Sequence, residues 1–186
     1  MTDLKSRALF LDRDGVINVE MGYTSRPEEI KFVDRIFELA RRAQKLHYKI
    51  VVVTNQSGIG RGYFTEDDFT GLTRWMNEQF IKNGCSIDAT YHCPFHPTEG
   101  IGDYRRESNL RKPNPGMILQ AVNDFSLDPS MCVLIGDRLS DIAAGRAAGV
   151  RHNFLLSAKT DVEEVEKEYV VSGLLAVVDF ISSLEG

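Results

Sequence analysis

Short runs of apolar residues recur along the chain and alternate with segments whose apolar residues have the spacing of one helix face. Within each run the apolar residues are consecutive, which is typical of parallel strands covered on both faces. The alternation predicts an α/β domain with a largely parallel sheet. The predicted strands span residues 8–11, 50–53, 133–135, 153–156 and 169–171.

Helix boundaries are indicated by capping residues between these strands. Thr65 and Asp68 have the spacing of a capping box, and Asn114 followed by Pro115 is the usual order of an N-cap and a first helical residue. Gly149 follows the helix predicted after the third strand, and glycine commonly ends a helix. The predicted helices, with their caps, span residues 36–46, 65–82, 114–123, 140–148 and 174–184.

Polar side chains follow three of the predicted strands at the point where each strand ends. In an open α/β sheet the ligand crevice lies outside the carboxyl ends of the strands. Because packing alone would not place acids and hydroxyls at three such ends, this edge of the sheet is the predicted site. The residues are Asp12 and Asp14 after the first strand, Thr54 and Asn55 after the second, and Asp137 after the third.

Two of these segments admit more than one interpretation when each is taken singly. FLDRDGVIN could be a solvated turn, but an EF-hand calcium loop is excluded because Val16 stands where a further acid or Asn is required. VVVTNQSGIGRG could be a strand cap and a flexible turn, or a Gly-rich loop whose backbone N–H groups hold phosphate oxygens. Its glycine spacing fits neither the P-loop nor the dinucleotide fingerprint.

Two further segments carry charge beside predicted helix starts. In RKPNPG, Arg111 and Lys112 precede a proline, and in LIGDRLSDIAAG, Asp137 and Asp141 lie four residues apart. A solvated basic pair and an acidic pair favoured by the helix dipole are the simpler explanations. Asp137 is the better metal candidate of the two acids because it follows the strand end directly.

The order of the segments is more informative than any one of them. DxD, Thr-Asn, Lys and GDxxxD follow one another over residues 8 to about 149, and this order resembles the haloacid dehalogenase superfamily of phosphohydrolases. The connections between these segments are too short for a large cap domain, and the resemblance implies a Rossmann-like, doubly wound, mainly parallel sheet. It also implies a single phosphatase domain over residues 1–186, with a loop insertion at about 92–112.

Within the superfamily, the chain resembles the D-glycero-D-manno-heptose 1,7-bisphosphate 7-phosphatases, with histidinol-phosphate phosphatases as the nearest alternative. The resemblance implies a sugar-phosphate substrate whose 7-phosphate is removed during the synthesis of nucleotide-activated heptose. A module that binds a phospho-ligand without catalysis is the alternative from another class. The segments concerned are FLDRDGVIN, GYTSRPEEIKFVD, VVVTNQSGIGRGYFTEDDF, RKPNPGM and IGDRLSDIAAG.

The resemblance implies roles for the residues at the strand ends. Asp12 would be the nucleophile of an aspartyl-phosphate mechanism, and Asp14 would be the general acid and then the general base. Mg²⁺ would be held by the Asp12 carboxylate, the Asp14 backbone carbonyl and Asp137. Lys112 would neutralise phosphate charge, and Thr54 would donate a hydrogen bond.

Further residues are implied in substrate recognition. Arg138 stands where the family has Lys, and the planar guanidinium group of arginine is not equivalent to an ammonium group. Arg111 has a fork that suits an anionic or polyhydroxyl ligand. The expected substrate-binding residues are Glu20, Gly22, Tyr23, Asn55, Gln56, Ser57, Arg111 and Arg138.

The segment YHCPFHPTEGIGDYRRESNLRKP looks at first like part of a metal site. In the family this loop binds a structural zinc through Cys-x-His followed by Cys-x-Cys. Here Phe95 replaces the His, and Ser108 and Leu110 replace the second pair, so only Cys93 remains and structural zinc is not expected. We hypothesise that Phe95, Tyr104 and Leu110 hold the loop by apolar packing.

Composition limits the remaining possibilities. The 186 residues carry a formal net charge of −5 with a pI of about 5.4, which disfavours a nucleic-acid partner and a nucleic-acid 3′-phosphatase. The sequence has no signal-peptide pattern and no apolar stretch of membrane-spanning length, and its three cysteines lack framework spacing. We therefore expect a cytoplasmic protein without a membrane partner. The resemblance implies a small-molecule substrate, and we expect a monomer because nothing in the sequence demands more.

Overall fold

The computed structural model describes residues 6–158, 166 and 169–184, and in this part of the chain six strands form one parallel sheet. The strands are β1 (Arg7–Leu11), β2 (Tyr48–Asn55), β3 (Ala89–Cys93), β4 (Val133–Gly136), β5 (His152–Leu156) and β6 (Val170–Val171). Their order in the sheet is β3-β2-β1-β4-β5-β6. The prediction of a mainly parallel sheet is confirmed, although β3 had no predicted position.

Helices connect successive strands from β1 to β5, as expected for a parallel sheet, whereas the connection from β5 to β6 includes residues outside the described part of the chain. The predicted helices are all present, with boundaries within two residues of those predicted. One short helix was not predicted, because the Gly-rich run after β2 forms a helical turn in place of the expected loop. The helices are α1 (Ile36–Lys45), α2 (Ser57–Gly60), α3 (Glu66–Lys82), α4 (Gly116–Asp124), α5 (Leu139–Ala147) and α6 (Leu175–Ser183).

The predicted caps are confirmed for α3 and corrected for α4. Thr65 Oγ1 accepts the Asp68 N–H at 3.1 Å, and the Asp68 carboxylate accepts the Thr65 N–H at 2.8 Å. The prediction that Asn114 caps α4 is wrong, because Pro115 occupies the N-cap position. The Asn114 side chain instead donates to the Ser108 carbonyl at 3.1 Å, which ties the preceding loop to the helix start.

Both faces of the sheet are covered by helices. Leu9 and Leu11 of β1 are fully buried and pack in a cluster with residues of α1 and α6. Ala8 and Phe10 point to the opposite face and pack with residues of α4 and α5. The consecutive apolar residues of β1 are therefore explained by burial on both sides, and the doubly wound arrangement is confirmed.

The connections around the site contain no separate cap domain. Residues 12–47 form a loop and α1, and residues 56–115 form α2, α3, β3 and the long loop before α4. Within the described residues, no helix combines the length and the apolar character needed to cross a membrane.

Candidate active site

The carboxyl ends of β1, β2 and β4 meet at a cavity of about 310 Å³. This edge is where parallel sheets of this type place their ligands. The four predicted catalytic residues are brought together here and line the cavity, whereas the predicted metal ligand Asp137 does not line it. The lining residues are Asp12, Asp14, Glu20, Thr54, Asn55, Arg111, Lys112, Pro113, Arg138, Ser140 and Asp141.

Lys112 is the centre of the polar network in this cavity. Its side chain is 2% exposed, and its Nζ lies 3.0 Å from Asp12 Oδ1 and 2.6 Å from Asp141 Oδ1. Nζ also donates to the Val53 carbonyl at 2.8 Å. The three contacts use the three donors of an ammonium group, so the cation is fixed between two carboxylates and a strand end.

Asn55 fixes the backbone of Lys112. The Asn55 amide group donates to the Lys112 carbonyl and accepts the Lys112 N–H, both at 3.1 Å. Asn55 was predicted to contact substrate, which stays a prediction, and the structure shows this supporting role. The end of β2 thereby sets the position of the loop that carries Lys112.

Burial changes the acid–base properties of the carboxylates. Burial raises the pKa of Asp12 to about 7 against the opposing effect of Lys112, and it raises the pKa of Asp137 to about 6, helped by the Asp141 charge. Burial alone would lower the pKa of Lys112, but the Asp12 and Asp141 carboxylates outweigh it and raise that pKa. Lys112 is therefore a cation at neutral pH.

Asp12, Asp137 and Asp141 form an acidic cluster that fits a divalent cation. One oxygen from each lies within 4.8 Å of the others. Asp137 Oδ1 is buried without a hydrogen-bond partner in the described residues, which is unusual for a polar atom. Three carboxylates against the single Lys112 ammonium leave two formal negative charges, and oxygen ligands of this kind suit Mg²⁺.

Two glycines allow this cluster to form. A Cβ atom on Gly15 would lie 2.2 Å from Asp137 Oδ2, and Gly15 also has a positive φ of 88°. A Cβ on Gly136 would lie 2.1 Å from the Asp141 Cβ. The DxDG turn and the GD pair thus contain glycine because the acidic side chains approach the backbone at these points.

The Asp14 side chain lies outside the acidic cluster, on another wall of the cavity. Its carboxylate forms a salt bridge of 2.8 Å with Arg13 and accepts hydrogen bonds from Asn18 at 3.0 Å and Gln56 at 2.9 Å. Gln56 also donates to Thr54 Oγ1 at 2.9 Å. The predicted catalytic residues Asp14 and Thr54 are therefore linked through Gln56.

A second cavity of about 330 Å³ adjoins the first and shares Asp14, Glu20, Asn55, Arg111 and Arg138 with it. It is the location of the predicted loop residues. Three arginine side chains enter its lining, so the charge here is more positive than at the acidic cluster. The remaining lining residues are Gly22, Tyr23, Gln56, Ser57, Gly58 and Arg61.

The three arginines of this second cavity are held differently. Arg138 forms a salt bridge with Glu20 at 3.0 Å, and Arg61 pairs with Glu99 at the protein surface. Arg111 donates to the backbone carbonyl of Phe95 at 3.1 Å. A neutral carbonyl leaves the positive charge of Arg111 uncompensated by that contact.

The loop before α4 is held by aromatic contacts, as hypothesised. Phe95 and Leu110 pack against the core cluster beneath the loop, and Tyr104 packs against the small cluster that joins α2 to α3. The Phe95 ring lies 6.0 Å from the Tyr104 ring and 3.9 Å from the Arg106 guanidinium carbon. Burial raises the pKa of the Cys93 thiol, which lies in the core beneath this loop.

Sequence reasoning missed three residues of the site. Asp141 is buried and paired with Lys112, whereas its position at a helix start had favoured a simple dipole effect. Arg61 is the one basic residue in the Gly-rich run, and nothing else in the sequence indicated that it belongs to the site. Arg13 stands between the two acids of DRD, but sequence alone gave no direction for its side chain.

Comparison with known proteins identifies the family of this chain. Residues 109–179 match the HAD-hydrolase-like family model. The D-glycero-alpha-D-manno-heptose-1,7-bisphosphate 7-phosphatase of Burkholderia mallei is 56% identical over 82% of this chain and 81% of its own length. The chain belongs to the heptose-1,7-bisphosphate 7-phosphatase family.

Two further relatives extend the similarity over nearly the whole chain. The D-glycero-beta-D-manno-heptose-1,7-bisphosphate 7-phosphatase of Pasteurella multocida is 37% identical over 97% of both chains. The crystal structure of D,D-heptose 1,7-bisphosphate phosphatase from B. bronchiseptica, complexed with magnesium and phosphate, has a TM-score of 0.78 at 24% identity. It covers 96% of this chain and 99% of that one, and it supports the assignment of the fold.

Proposed function

We propose that this chain is a Mg²⁺-dependent phosphatase that removes the 7-phosphate of D-glycero-D-manno-heptose 1,7-bisphosphate. One observation carries the proposal: a cavity with a buried Lys and an acidic cluster adjoins a second cavity that contains three arginines. The names of the relatives above support the substrate, and the magnesium and phosphate of the solved relative support the cofactor and the reaction.

The first step is attack by an Asp12 oxygen on phosphorus, which breaks the bond to the sugar oxygen and forms an aspartyl-phosphate. Asp14 gives a proton to the departing sugar oxygen. Water then attacks the phosphorus, Asp14 accepts its proton, and inorganic phosphate leaves Asp12 in its original form. Lys112, 3.0 Å from Asp12, neutralises phosphate charge in both steps.

Mg²⁺ would lie at the acidic cluster, where Asp12 and Asp137 would hold it and Asp141 is within reach. The Asp14 backbone carbonyl stays a predicted ligand. When bound, the ion supplies positive charge that lets an anionic carboxylate approach an anionic phosphate. Thr54, at the end of β2, would hold a phosphate oxygen through its hydroxyl.

The two adjoining cavities explain a preference for a bisphosphate. A sugar with a phosphate at each end could place one phosphate at Lys112 and the other near Arg111 and Arg138. Arginine forks bind phosphate through two parallel hydrogen bonds, which fixes both distance and orientation. We propose that Arg61 adds to this second site, and that Glu20, Gly22, Tyr23 and Ser57 contact the sugar.

The decisive experiment is phosphate release in Mg²⁺ from both anomers of the heptose bisphosphate, from histidinol phosphate and from a 3′-phosphorylated oligonucleotide. We expect the highest kcat/KM for the α anomer, because the relative with 56% identity is named for that anomer. A highest kcat/KM for histidinol phosphate would overturn the heptose assignment. Absence of turnover with every substrate would favour the non-catalytic alternative.

Three broader expectations accompany this proposal. We propose that the chain acts as one phosphatase domain; residues 1–5, 159–165, 167–168 and 185–186 lie outside the described part of it. A cytoplasmic location and a monomeric state stay predictions. Cell fractionation and light scattering on the purified protein would test them.

A further inference from the structure

Arg13 lies between the two acids of the DxD motif and contacts only one of them through its side chain. Its Nε and Nη2 atoms lie 2.8 to 3.1 Å from both Asp14 carboxylate oxygens. The Arg13 and Asp14 side chains are 4% and 15% exposed. A two-point fork of this kind fixes the plane of a carboxylate as well as its distance.

Arg13 is itself held firmly. Its Nη2 donates to the Thr24 carbonyl at 3.1 Å, and its guanidinium carbon lies 5.9 Å from the centre of the Phe69 ring on α3. Its own carbonyl accepts the N–H groups of Ile17 at 2.8 Å and Asn18 at 3.1 Å. The turn, the loop at Thr24 and helix α3 therefore all determine where the guanidinium lies.

Stability alone does not explain this arginine. Its Nη1 atom is buried and lacks a hydrogen-bond partner among the residues that the structure describes. Buried ion pairs of this kind are often no more stabilising than apolar side chains of similar volume, and an unpaired buried donor adds a cost. A buried, incompletely satisfied cation beside the proposed general acid points to a role in the reaction.

We infer that Arg13 is a positioning residue that aims the Asp14 carboxylate at the oxygen of the leaving sugar. Asn18 and Gln56 assist, but each makes a single hydrogen bond to Asp14, whereas the arginine makes contact with both oxygens. The inference rests on the proposed phosphatase function and adds to it a residue that does not touch the substrate.

The expected signature is a dependence on the leaving group. A sugar alkoxide needs a proton in order to leave, whereas p-nitrophenolate leaves without one. The ratio kcat/KM covers the steps up to release of the alcohol, so it reports the general-acid step and not the later attack of water. A misaimed Asp14 should therefore reduce kcat/KM for poor leaving groups only.

The test compares wild type, Arg13→Lys and Arg13→Met on the heptose bisphosphate and on aryl phosphates whose leaving groups differ in acidity. Arg13→Lys keeps the charge but loses the fork. It should lower kcat/KM for the sugar substrate by about 10- to 100-fold and leave that for p-nitrophenyl phosphate within about 3-fold. Arg13→Met should show the same pattern more strongly.

The matched control is Arg41→Met, because Arg41 lies on α1 and donates to the Asn83 carbonyl at the surface. It should leave both values unchanged. Equal losses with all substrates, or no loss with the sugar, would overturn the role of Arg13. If Arg13→Met fails to fold, Arg13→Lys decides alone. If wild type hydrolyses aryl phosphates but not the heptose bisphosphate, the heptose assignment fails and the aryl series still decides about Arg13.

Discussion

Two aspartates of the acidic cluster, Asp137 and Asp141, differ in the partners that their carboxylates contact. Asp137 and Asp141 are four residues apart on the chain, and both carboxylates belong to the acidic cluster. The Asp141 carboxylate forms a salt bridge with Lys112 at 2.6 Å. Asp137, in contrast, has a buried oxygen without a partner in the described residues. We therefore expect Asp137 to be the more dependent of the two on the metal.

At the residue scale, Asp12→Asn should abolish turnover and leave the fold intact. An amide oxygen is a far weaker nucleophile than a carboxylate, so the loss should be about 10⁴-fold or more. Lys112 keeps its Asp141 partner, so no buried charge is left unpaired. Phosphate release and circular dichroism would measure the two effects.

The control for this substitution is Asp34→Asn, since the Asp34 side chain is 96% exposed and has no proposed role in the site. It should retain full activity. Substantial phosphate release by the Asp12 variant would exclude the aspartyl-phosphate mechanism.

At the scale of elements, helix α3 depends on its first turn. The Thr65–Asp68 capping box provides partners for backbone groups that the helix leaves unpaired. Thr65→Ala should lower the free energy of unfolding by about 1 kcal/mol, with Tm falling by about 2 to 4 °C. Urea and thermal unfolding would measure this.

Thr70→Ala is the matched control, because Thr70 is exposed in the interior of the same helix. Alanine is the better helix former there, so stability should stay the same or rise slightly. Equal destabilisation by both substitutions would contradict the importance of the cap. Neither should change kcat, because neither Thr65 nor Thr70 lines the two cavities of the site.

Phe95, in the long loop before α4, should affect substrate affinity and not the chemical step. The Phe95 ring packs near Arg106 and Tyr104, and the Phe95 backbone carbonyl accepts a hydrogen bond from Arg111. Phe95→Ala keeps the carbonyl but removes the ring that packs beneath the loop, so Arg111 should be less firmly placed. We expect KM for the heptose bisphosphate to rise by about 10-fold, with kcat within about 2-fold.

The same Phe95 variant should show little change in KM for p-nitrophenyl phosphate, which lacks the second phosphate. Ile101→Ala is the control, because this loop residue is 64% exposed. A fall in kcat with both substrates would mean that the loop supports Lys112 more than Arg111. Elemental analysis would separately test the expectation that the loop contains no structural zinc.

At the scale of the whole molecule, the acidic cluster couples stability to pH and to Mg²⁺. The folded-state pKa values of Asp12 and Asp137, about 7 and about 6, lie above the ordinary value of 3.8. Below pH 3.8 both groups are protonated in the folded and unfolded states. As pH rises from about 4 to about 7 the unfolded chain loses these protons first, so this contribution to stability is lost across that window.

Mg²⁺ should reverse this loss, because it binds the ionised carboxylates. We expect saturating Mg²⁺ to raise Tm by about 5 °C near pH 7.5 and by much less near pH 5. Thermal unfolding in Mg²⁺ and in chelator at both pH values would measure it. Asp137→Asn should remove most of the difference, and an equal rise at both pH values would contradict the coupling.

The sequence by itself determined the buried strands of this protein and the edge of the sheet where the site lies. Consecutive apolar residues in β1, β2 and β4 predicted strands buried on both faces, and the polar residues that follow them predicted the edge where the site lies. These features are local, because a run of consecutive apolar residues and the polar residue that follows it are neighbours in the chain. The start of helix α3 was predicted to the residue for the same reason, since its capping box is local too.

Only the tertiary structure decided which side chains meet. Asp141, Arg61 and Arg13 belong to the site because segments far apart in the chain, or side-chain directions that sequence does not record, bring them there. The pairing of Lys112 with Asp141 joins residues 29 positions apart, so no local pattern distinguishes it from a helix-dipole effect. Burial then raises the pKa of Asp12, and burial is a property of the assembled fold.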